Sequence, residues 1–319
     1  MNTNRNLLGS GWSMVIHNKR YIFWFWLLNL TLAEFATSVF RQSAHPILDH
    51  SLYSQRLLNG FHLGNMIELF ARPEFPSLGT MARQASFFAF LFFLFTAIFL
   101  PGVFAGYAST YRLPREDFFR ACGRNLWRFI RLMLIAGIIM GIVAGALFAI
   151  NGAISKKAAE GTNELLPVEL QMTGLAVIFL VMTTLRAWFD LAEADVVLND
   201  QRAVRKSISA AFRHTLGGLF RLLPSYIIAT ILAAIFLLGG LWFWRHVVPP
   251  VRWGDAFVVS QITLFLLLIP RFWQRGIAVA YWQRKMMIPV VAAPAPVVVA
   301  PPVPPAPQPE PTPSLPSES

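Results

Sequence analysis

Cysteine and acidic residues are both scarce in this sequence. The 319 residues include one cysteine, Cys122, and only 16 aspartates and glutamates against 27 lysines and arginines. A single cysteine excludes an intramolecular disulfide and a metal site built from several thiolates. Charged residues make up 13% of the chain and hydrophobic residues 55%, which is outside the usual range of soluble domains. The composition therefore predicts a protein whose solvent is a lipid bilayer.

Motifs of known catalytic chemistry are missing as well. The chain contains no G-x-S-x-G, no H-E-x-x-H and no glycine-rich phosphate loop. Three histidines and two acidic residues after the first apolar run match no metalloenzyme spacing: His45, Asp49, His50, His62 and Glu68. We therefore expect a non-enzymatic protein with no catalytic residues, no metal and no cofactor. An enzyme that uses Asp190, Glu193 and Asp195 as acids or metal ligands is an alternative that no motif supports.

Six long apolar runs dominate the chain, near residues 21–40, 84–108, 129–150, 172–198, 222–244 and 256–282. Each is close to the roughly 20 residues that cross a hydrocarbon core of ~30 Å. They predict an all-α, polytopic membrane protein with a six-helix transmembrane domain over residues 21–285. The polar leader and the long aromatic core of the first run favour a retained span over a signal peptide.

Positive charge is distributed unevenly between the two sides of these runs. Sixteen lysines and arginines flank one side and eight flank the other. By the positive-inside rule the richer side is cytoplasmic, which puts both the N-terminal segment 1–20 and the C-terminus there. The net charge of +11 is therefore explained by topology, and no nucleic-acid motif accompanies it. The bilayer itself, and anionic lipid headgroups at the cytoplasmic face, are the expected partners.

Two basic amphipathic stretches precede apolar runs on the cytoplasmic side. In residues 115–129, Arg120, Arg124 and Arg128 recur at helical spacing, and residues 203–221 carry a similar stripe. A shift of ninety residues aligns Arg131 with Arg221. The pattern predicts interfacial amphipathic helices and repeated helical hairpins, with residues 7–20 as a degraded third copy. Short helices are also predicted in the outer loop 42–83, where apolar residues again recur at helical spacing.

Charged residues inside the fourth and sixth runs are the candidate functional site. Arg186, Asp190 and Glu193 stand at i, i+4 and i+7, so they share one face of a helix. A shift of eighty-five residues places Arg271 and Arg275 at the matching depth of the sixth run. Charges at membrane depth usually pair or line a pathway. The sequence therefore predicts ion pairs between the two helices, with Asp190 and Glu193 opposite Arg271 and Arg275.

Two further carboxylates complete the set of candidates, and a second function stays open. Asp195 is expected to reach the cytoplasmic interface, and Glu34 in the first run is a secondary candidate for a bond between helices. The leading interpretation is a scaffold, accessory or lipid-interacting factor. The alternative is a transporter or permease component whose charged cluster lines a cytoplasm-facing cavity.

The C-terminal residues 286–319 are rich in Pro, Ala and Val and then in Pro, Ser and Glu. This composition predicts an extended, disordered tail. A plain spacer is favoured over a segment that docks into the aromatic-lined groove of a partner protein.

One stretch resembles a known group of proteins. The sequence F-x-x-A at 189–192 is followed by N-D-Q-R-A-V-x-x-S-I-x-x-A-F at 199–212. It is similar to six-span bacterial membrane families typified by the membrane domain that accompanies some glycerophosphodiester phosphodiesterases. The resemblance covers about residues 80 to 285 and implies a multi-pass protein of the inner (plasma) membrane. It implies no phosphodiesterase activity, because no such catalytic domain is present in this chain.

Overall fold

The computed structural model describes residues 6–49, 78–109, 111–161, 165–249 and 252–286, together with the isolated positions 64, 67 and 71. The continuous ranges contain eight helices, the isolated positions are also helical, and no described residue is in a strand, which confirms the all-α fold. The helices are α1 (Leu7–His17), α2 (Arg20–Asp49), α3 (Leu78–Ala108), α4 (Arg115–Ala159), α5 (Leu166–Leu198), α6 (Val204–Gly217), α7 (Leu219–Val247) and α8 (Trp253–Lys285).

Five of the described helices, α3, α4, α5, α7 and α8, are long and apolar enough to cross a membrane. They contain the second to the sixth predicted spans, as expected for a multi-pass membrane protein. The first predicted span, residues 21–40, lies within α2, which is not one of these five.

The predicted lead-in helices differ from one another in the structure. Residues 115–129 do not form a separate helix, because α4 continues unbroken for 45 residues, about 67 Å at 1.5 Å per residue. The second lead-in is separate, since α6 ends before Gly218 and α7 begins at Leu219. The hydroxyl of Tyr281 occupies the space that a side chain at position 218 would take. Arg128, ninety residues earlier, is a good helix former, which is consistent with an unbroken α4.

The centre of the bundle is formed by α3, α5 and α8, which contact one another. Each of them also packs against a helix that contains a predicted lead-in: α3 against α4, α5 against α6, and α8 against α1. Large side chains are fully buried on the shared surfaces, among them Phe104, Phe129, Tyr226 and Phe272. Apolar side chains in the predicted outer halves of the spans are exposed, for example Ile142 and Leu238. Exposed apolar surface of this kind suits contact with lipid.

Two tryptophans on the central helices α5 and α8 form hydrogen bonds with the neighbouring helices α6 and α1. The indole Nε1 of Trp188 on α5 donates to the carbonyl of Ile208 on α6 at 2.8 Å. The indole Nε1 of Trp273 on α8 donates to the carbonyl of Leu8 on α1 at 3.0 Å. Trp188 and Trp273 are also the residues that coincide when the fourth run is shifted by eighty-five positions. Two matched positions therefore make the same type of contact.

Several predictions fall wholly or partly outside the described residues. Helix α2 extends to Asp49 and α3 begins at Leu78, so both helices enter the range predicted as the outer loop, 42–83. The short helices predicted between them fall almost entirely outside the described residues, as do His50, His62 and Glu68 and the tail from residue 287. The side chains of His45 and Asp49 are not described either.

Candidate functional site

The charged face of α5 is buried in the bundle. Asp190 is 3% exposed and Glu193 8% exposed, whereas the Arg186 side chain retains 21%. A terminal nitrogen of Arg186 lies 3.5 Å from Oδ1 of Asp190, one helical turn away. This arrangement follows from the spacing in the sequence, because residues at i and i+4 are neighbours on a helix.

Tyr226 on α7 is the second partner of Asp190. Its hydroxyl donates to Oδ2 of Asp190 at 3.0 Å, and both groups are buried. Sequence reasoning missed this residue. The available signal was weak: Tyr226 is the only tyrosine in its apolar run, and a buried tyrosine hydroxyl usually finds a hydrogen-bond partner.

The two arginines of α8 are not in direct contact with the carboxylates of α5. Among the described residues, neither Arg271 nor Arg275 places a nitrogen within 4.0 Å of a carboxylate oxygen. Arg275 is buried and its guanidinium lies 5.3 Å from the ring centroid of Phe272 on its own helix, while Arg271 is exposed. The predicted direct pairs between the helices are therefore not formed, although Glu193 is close enough to both arginines for electrostatic interaction.

Several buried polar atoms in this region have no hydrogen-bond partner among the described residues. They include Oε2 of Glu193, Nε of Arg186, Nε of Arg275 and the hydroxyl of Tyr107 on α3. Tyr107 and Arg275 are also electrostatic neighbours. Because most buried polar groups are paired with protein or with ordered water, these atoms mark places where a water, an ion or a ligand would complete the hydrogen bonding. We call the set of Arg186, Asp190, Glu193, Tyr226 and Arg275 the charge cluster.

Asp195 is separate from the charge cluster and accepts two hydrogen bonds. It is 4% exposed, and its Oδ1 accepts from Nδ2 of Asn199 at 2.6 Å and from the indole of Trp282 at 3.2 Å. The bond from Trp282 joins the last turns of α5 to α8, whereas the bond from Asn199 lies at the end of α5 itself. Asp195 was expected to reach the cytoplasmic interface, which stays a prediction; its side chain is buried in protein, next to Trp282.

Glu34 lies apart from the other candidates. Its side chain is 48% exposed and pairs with Arg41 on the same helix at 3.0 Å. Among the described residues, its side chain forms no hydrogen bond or ion pair with another helix. Within the described residues, no three His, Cys, Asp or Glu side chains are grouped closely enough to hold a metal ion.

Comparison with family models, with curated proteins and with solved structures finds no match for this chain. The resemblance to the membrane domain of some glycerophosphodiester phosphodiesterases therefore stays a prediction.

Proposed function

We propose that this chain is a non-enzymatic, six-span protein of the bacterial inner membrane that acts as a lipid-interacting scaffold or accessory factor. The observation that carries the proposal is how two of the three buried carboxylates, Asp190 and Asp195, are used. Asp190 is held by Arg186 and by Tyr226 from another helix, and Asp195 is held by Asn199 and Trp282. Carboxylates engaged in this way join helices and are not available to a ligand. The charge cluster is therefore structural in this proposal.

The contacts between helices support a repeated hairpin as the building unit. Three pairs of neighbouring long helices pack together, α2 with α3, α4 with α5, and α7 with α8. In each case the inward helix also packs against the amphipathic segment of the following unit, and α8 returns to α1. In this proposal α2 is the first of six spans, and both termini lie in the cytoplasm. The resemblance to six-span bacterial families is part of the same proposal.

Accessibility of position 193 to water tests the structural role. In a Cys122→Ser background, Glu193→Cys is treated with a membrane-impermeant maleimide in inside-out vesicles. Arg202→Cys is the matched control, since residue 202 is exposed in the connection between α5 and α6. We expect the thiol at 202 to be labelled and the thiol at 193 to stay unlabelled. Labelling of both at comparable rates would overturn the structural proposal.

A transporter or permease component is the second candidate, and one observation favours it. Oε2 of Glu193 is buried without a hydrogen-bond partner among the described residues, as is Nε of Arg275. A carboxylate and a guanidinium in this condition suit a site that binds a charged substrate or a proton. Rapid labelling at position 193 that an added solute slows would establish this alternative.

A further inference from the structure

An apolar groove of about 550 Å³ lies on the outside of the bundle, between α2, α3 and the first turn of α4. Its walls are almost entirely aromatic and aliphatic, and include Trp24, Phe25, Leu28, Phe95, Phe99 and Phe119. Several of these side chains are exposed, with Trp24 at 60% and Phe119 at 58%. A surface of this kind requires an apolar occupant or an apolar solvent.

Two arginines lie at one end of this groove, where α2 and α4 begin. A terminal nitrogen of Arg20 donates to the carbonyl of Leu113 at 2.8 Å and to the hydroxyl of Tyr21 at 3.1 Å. These bonds hold the guanidinium in place, and its Nε is buried with no hydrogen-bond partner in the described residues. The second arginine, Arg115, is exposed and also lines the groove. Both are on the face that the topology assigns to the cytoplasm.

Neither arginine at the groove is neutralised by a carboxylate among the described residues. Glu116 and Asp117 are adjacent in sequence, but both pair with Arg120, at 2.6 Å and 3.3 Å. The end of the groove therefore carries two positive charges beside an apolar wall. An anionic group attached to a hydrocarbon chain is the complementary ligand.

The length of the groove matches one leaflet of a bilayer. From Arg20 to Thr31 the α2 backbone rises about 16 Å at 1.5 Å per residue, and both residues line the groove. This is about half of a hydrocarbon core of ~30 Å. A ligand with its charge at Arg20 and Arg115 therefore extends its chain toward the middle of the membrane.

We propose that this groove binds one anionic phospholipid of the inner leaflet, with an acyl chain along Phe95 and Phe99 and its phosphate against Arg20 and Arg115. The proposal rests on the six-span topology proposed above and adds a defined lipid site to it. Anionic lipids are attracted to basic residues on this face of a membrane. The groove makes the site specific for a lipid, because the acyl chain and the phosphate must both be bound at the same time.

Native mass spectrometry of the full-length protein in detergent tests the site. Dioleoyl phosphatidylglycerol is titrated and compared with dioleoyl phosphatidylcholine. Arg115→Gln removes a phosphate contact and Thr31→Trp fills the groove, while Arg131→Gln, a basic residue of α4 outside the groove, is the matched control. Arg20 is left unchanged because its bonds to Leu113 and Tyr21 are structural.

We expect the anionic lipid to bind at least tenfold more tightly than the zwitterionic one. Arg115→Gln should weaken the binding of the anionic lipid only, by about tenfold, because one charged hydrogen bond is lost. Thr31→Trp should weaken both lipids, and Arg131→Gln neither. Equal losses in Arg115→Gln and Arg131→Gln would show diffuse attraction to a basic surface and overturn the site. So would a Thr31→Trp protein that loses self-association but binds lipid normally, because a second copy would then be the occupant.

These outcomes are independent of the labelling experiment at position 193. If position 193 is protected and the lipid experiment fails, only the groove proposal is lost. If position 193 is open to water and the lipid site is confirmed, the structural role of the charge cluster is lost and the lipid site stands.

Discussion

Tyr226 shows how a single hydroxyl makes a buried carboxylate tolerable. It donates a hydrogen bond to Asp190, whose other partner is the ion pair with Arg186, and it joins α7 to α5. Tyr226→Phe keeps the ring and removes only the donor. We expect the free energy of unfolding to fall by about 1 to 2 kcal/mol, since the acceptor is a carboxylate and the site is buried. Thermal unfolding in detergent measures this change, and Tyr111→Phe, an exposed tyrosine, is the control.

A double-mutant cycle separates this bond from general damage to the core. Asp190→Asn alone should destabilise the protein. Tyr226→Phe should then cost less stability in the Asp190→Asn variant than it costs in the wild-type chain. Such non-additivity is the signature of two groups that share one interaction. Losses that simply add would show that Tyr226 and Asp190 act independently.

Asp200 joins the turn after α5 to α4. Its Oδ1 lies 2.6 Å from a terminal nitrogen of Arg128, and its φ of 50° lies in the left-handed region, which aspartate tolerates better than most residues. The hydrogen bond from Arg128 holds the pKa of Asp200 below its usual value of 3.8. The bond therefore stabilises the folded state fully at pH values above 3.8. This contribution to stability is lost as the pH falls through the lowered pKa of Asp200.

Asp200→Asn tests this dependence on pH while keeping a residue that tolerates the same backbone. The variant should be less stable than the wild type by about 0.5 kcal/mol near neutral pH, because the pair is exposed. The difference should be constant from pH 7 to about 5 and should disappear in stronger acid. Melting temperatures of both proteins across this range, at low salt, provide the measurement. A difference that grows on acidification would contradict the assignment.

The candidate site was predicted in part, and the limit has a physical cause. Arg186, Asp190 and Glu193 share a face because helical spacing alone determines that relation. The partner of Asp190 across the bundle is Tyr226 instead of an arginine of α8, and spacing cannot reveal this. Which side chain meets which depends on how each helix is rotated and how far it is shifted along its neighbour. Those quantities are determined by packing over the whole interface.

At the scale of elements, the crossing of α1 and α8 depends on two glycines. A Cβ on Gly276 would lie 2.7 Å from the carbonyl oxygen of Gly11, and one on Gly11 would lie 2.8 Å from the backbone nitrogen of Ile277. Both obstacles are backbone atoms, so the helices must separate to admit a methyl group. We expect Gly276→Ala and Gly11→Ala each to reduce the free energy of unfolding by about 1 to 3 kcal/mol, as overpacking does.

The same helices provide matched controls for these substitutions. Gly9 on α1 and Gly254 on α8 have open space where a Cβ would lie. Gly9→Ala and Gly254→Ala should be neutral or slightly stabilising, because alanine has a higher helix propensity than glycine, by up to about 1 kcal/mol. Thermal unfolding of the four variants decides the question. Equal effects at Gly9 and Gly11 would mean that helix propensity, and not the crossing, determines the result.

Two segments with similar sequence patterns have different helix boundaries. Residues 115–129 and 203–221 carry comparable basic stripes, yet the first is the beginning of α4 and the second is a separate helix, α6. The break depends on Gly218, whose missing side chain leaves room for Tyr281, and the Tyr281 hydroxyl donates to the carbonyl of His214 at the end of α6. Tyr281 is sixty-seven residues from His214. A local pattern contains no information about such a distant partner.

At the scale of the whole molecule, the first and last helices are brought together. The end of α8 carries Arg284, whose terminal nitrogen donates to the hydroxyl of Ser10 on α1 at 2.8 Å. Residues 1–20 were expected to be a polar cytoplasmic segment, with a degraded amphipathic copy as a further interpretation. The structure gives α1 a packed position, because Gly11 and Val15 are buried against the bundle. Its weak amphipathic pattern made this difficult to predict from sequence.

The position of α1 leads to a prediction about topology. Because α1 lies beside the second half of α8, it is on the side where α8 ends, and α2 begins immediately after it. Helix α2 has 30 residues, about 45 Å at 1.5 Å per residue, and packs along α3. In the proposed topology we therefore expect α2 to run from the side of α1 toward the opposite surface, with α3 returning in the other direction. This predicts α2 as one additional span, the first along the chain, beside the five that length and composition already indicate.

Single cysteines in a Cys122→Ser background distinguish six spans from five. Ser13→Cys on α1 and Arg202→Cys should react with an impermeant maleimide only in inside-out vesicles, and Lys157→Cys at the end of α4 only in intact spheroplasts. Arg41→Cys is the decisive position, because its side chain is 66% exposed near the far end of α2. We expect it to react only in spheroplasts, together with Lys157→Cys. Reaction of Arg41→Cys only from the cytoplasmic side would mean that α2 lies along the membrane surface. The protein would then have five spans, and α2 and α3 would not form a transmembrane hairpin.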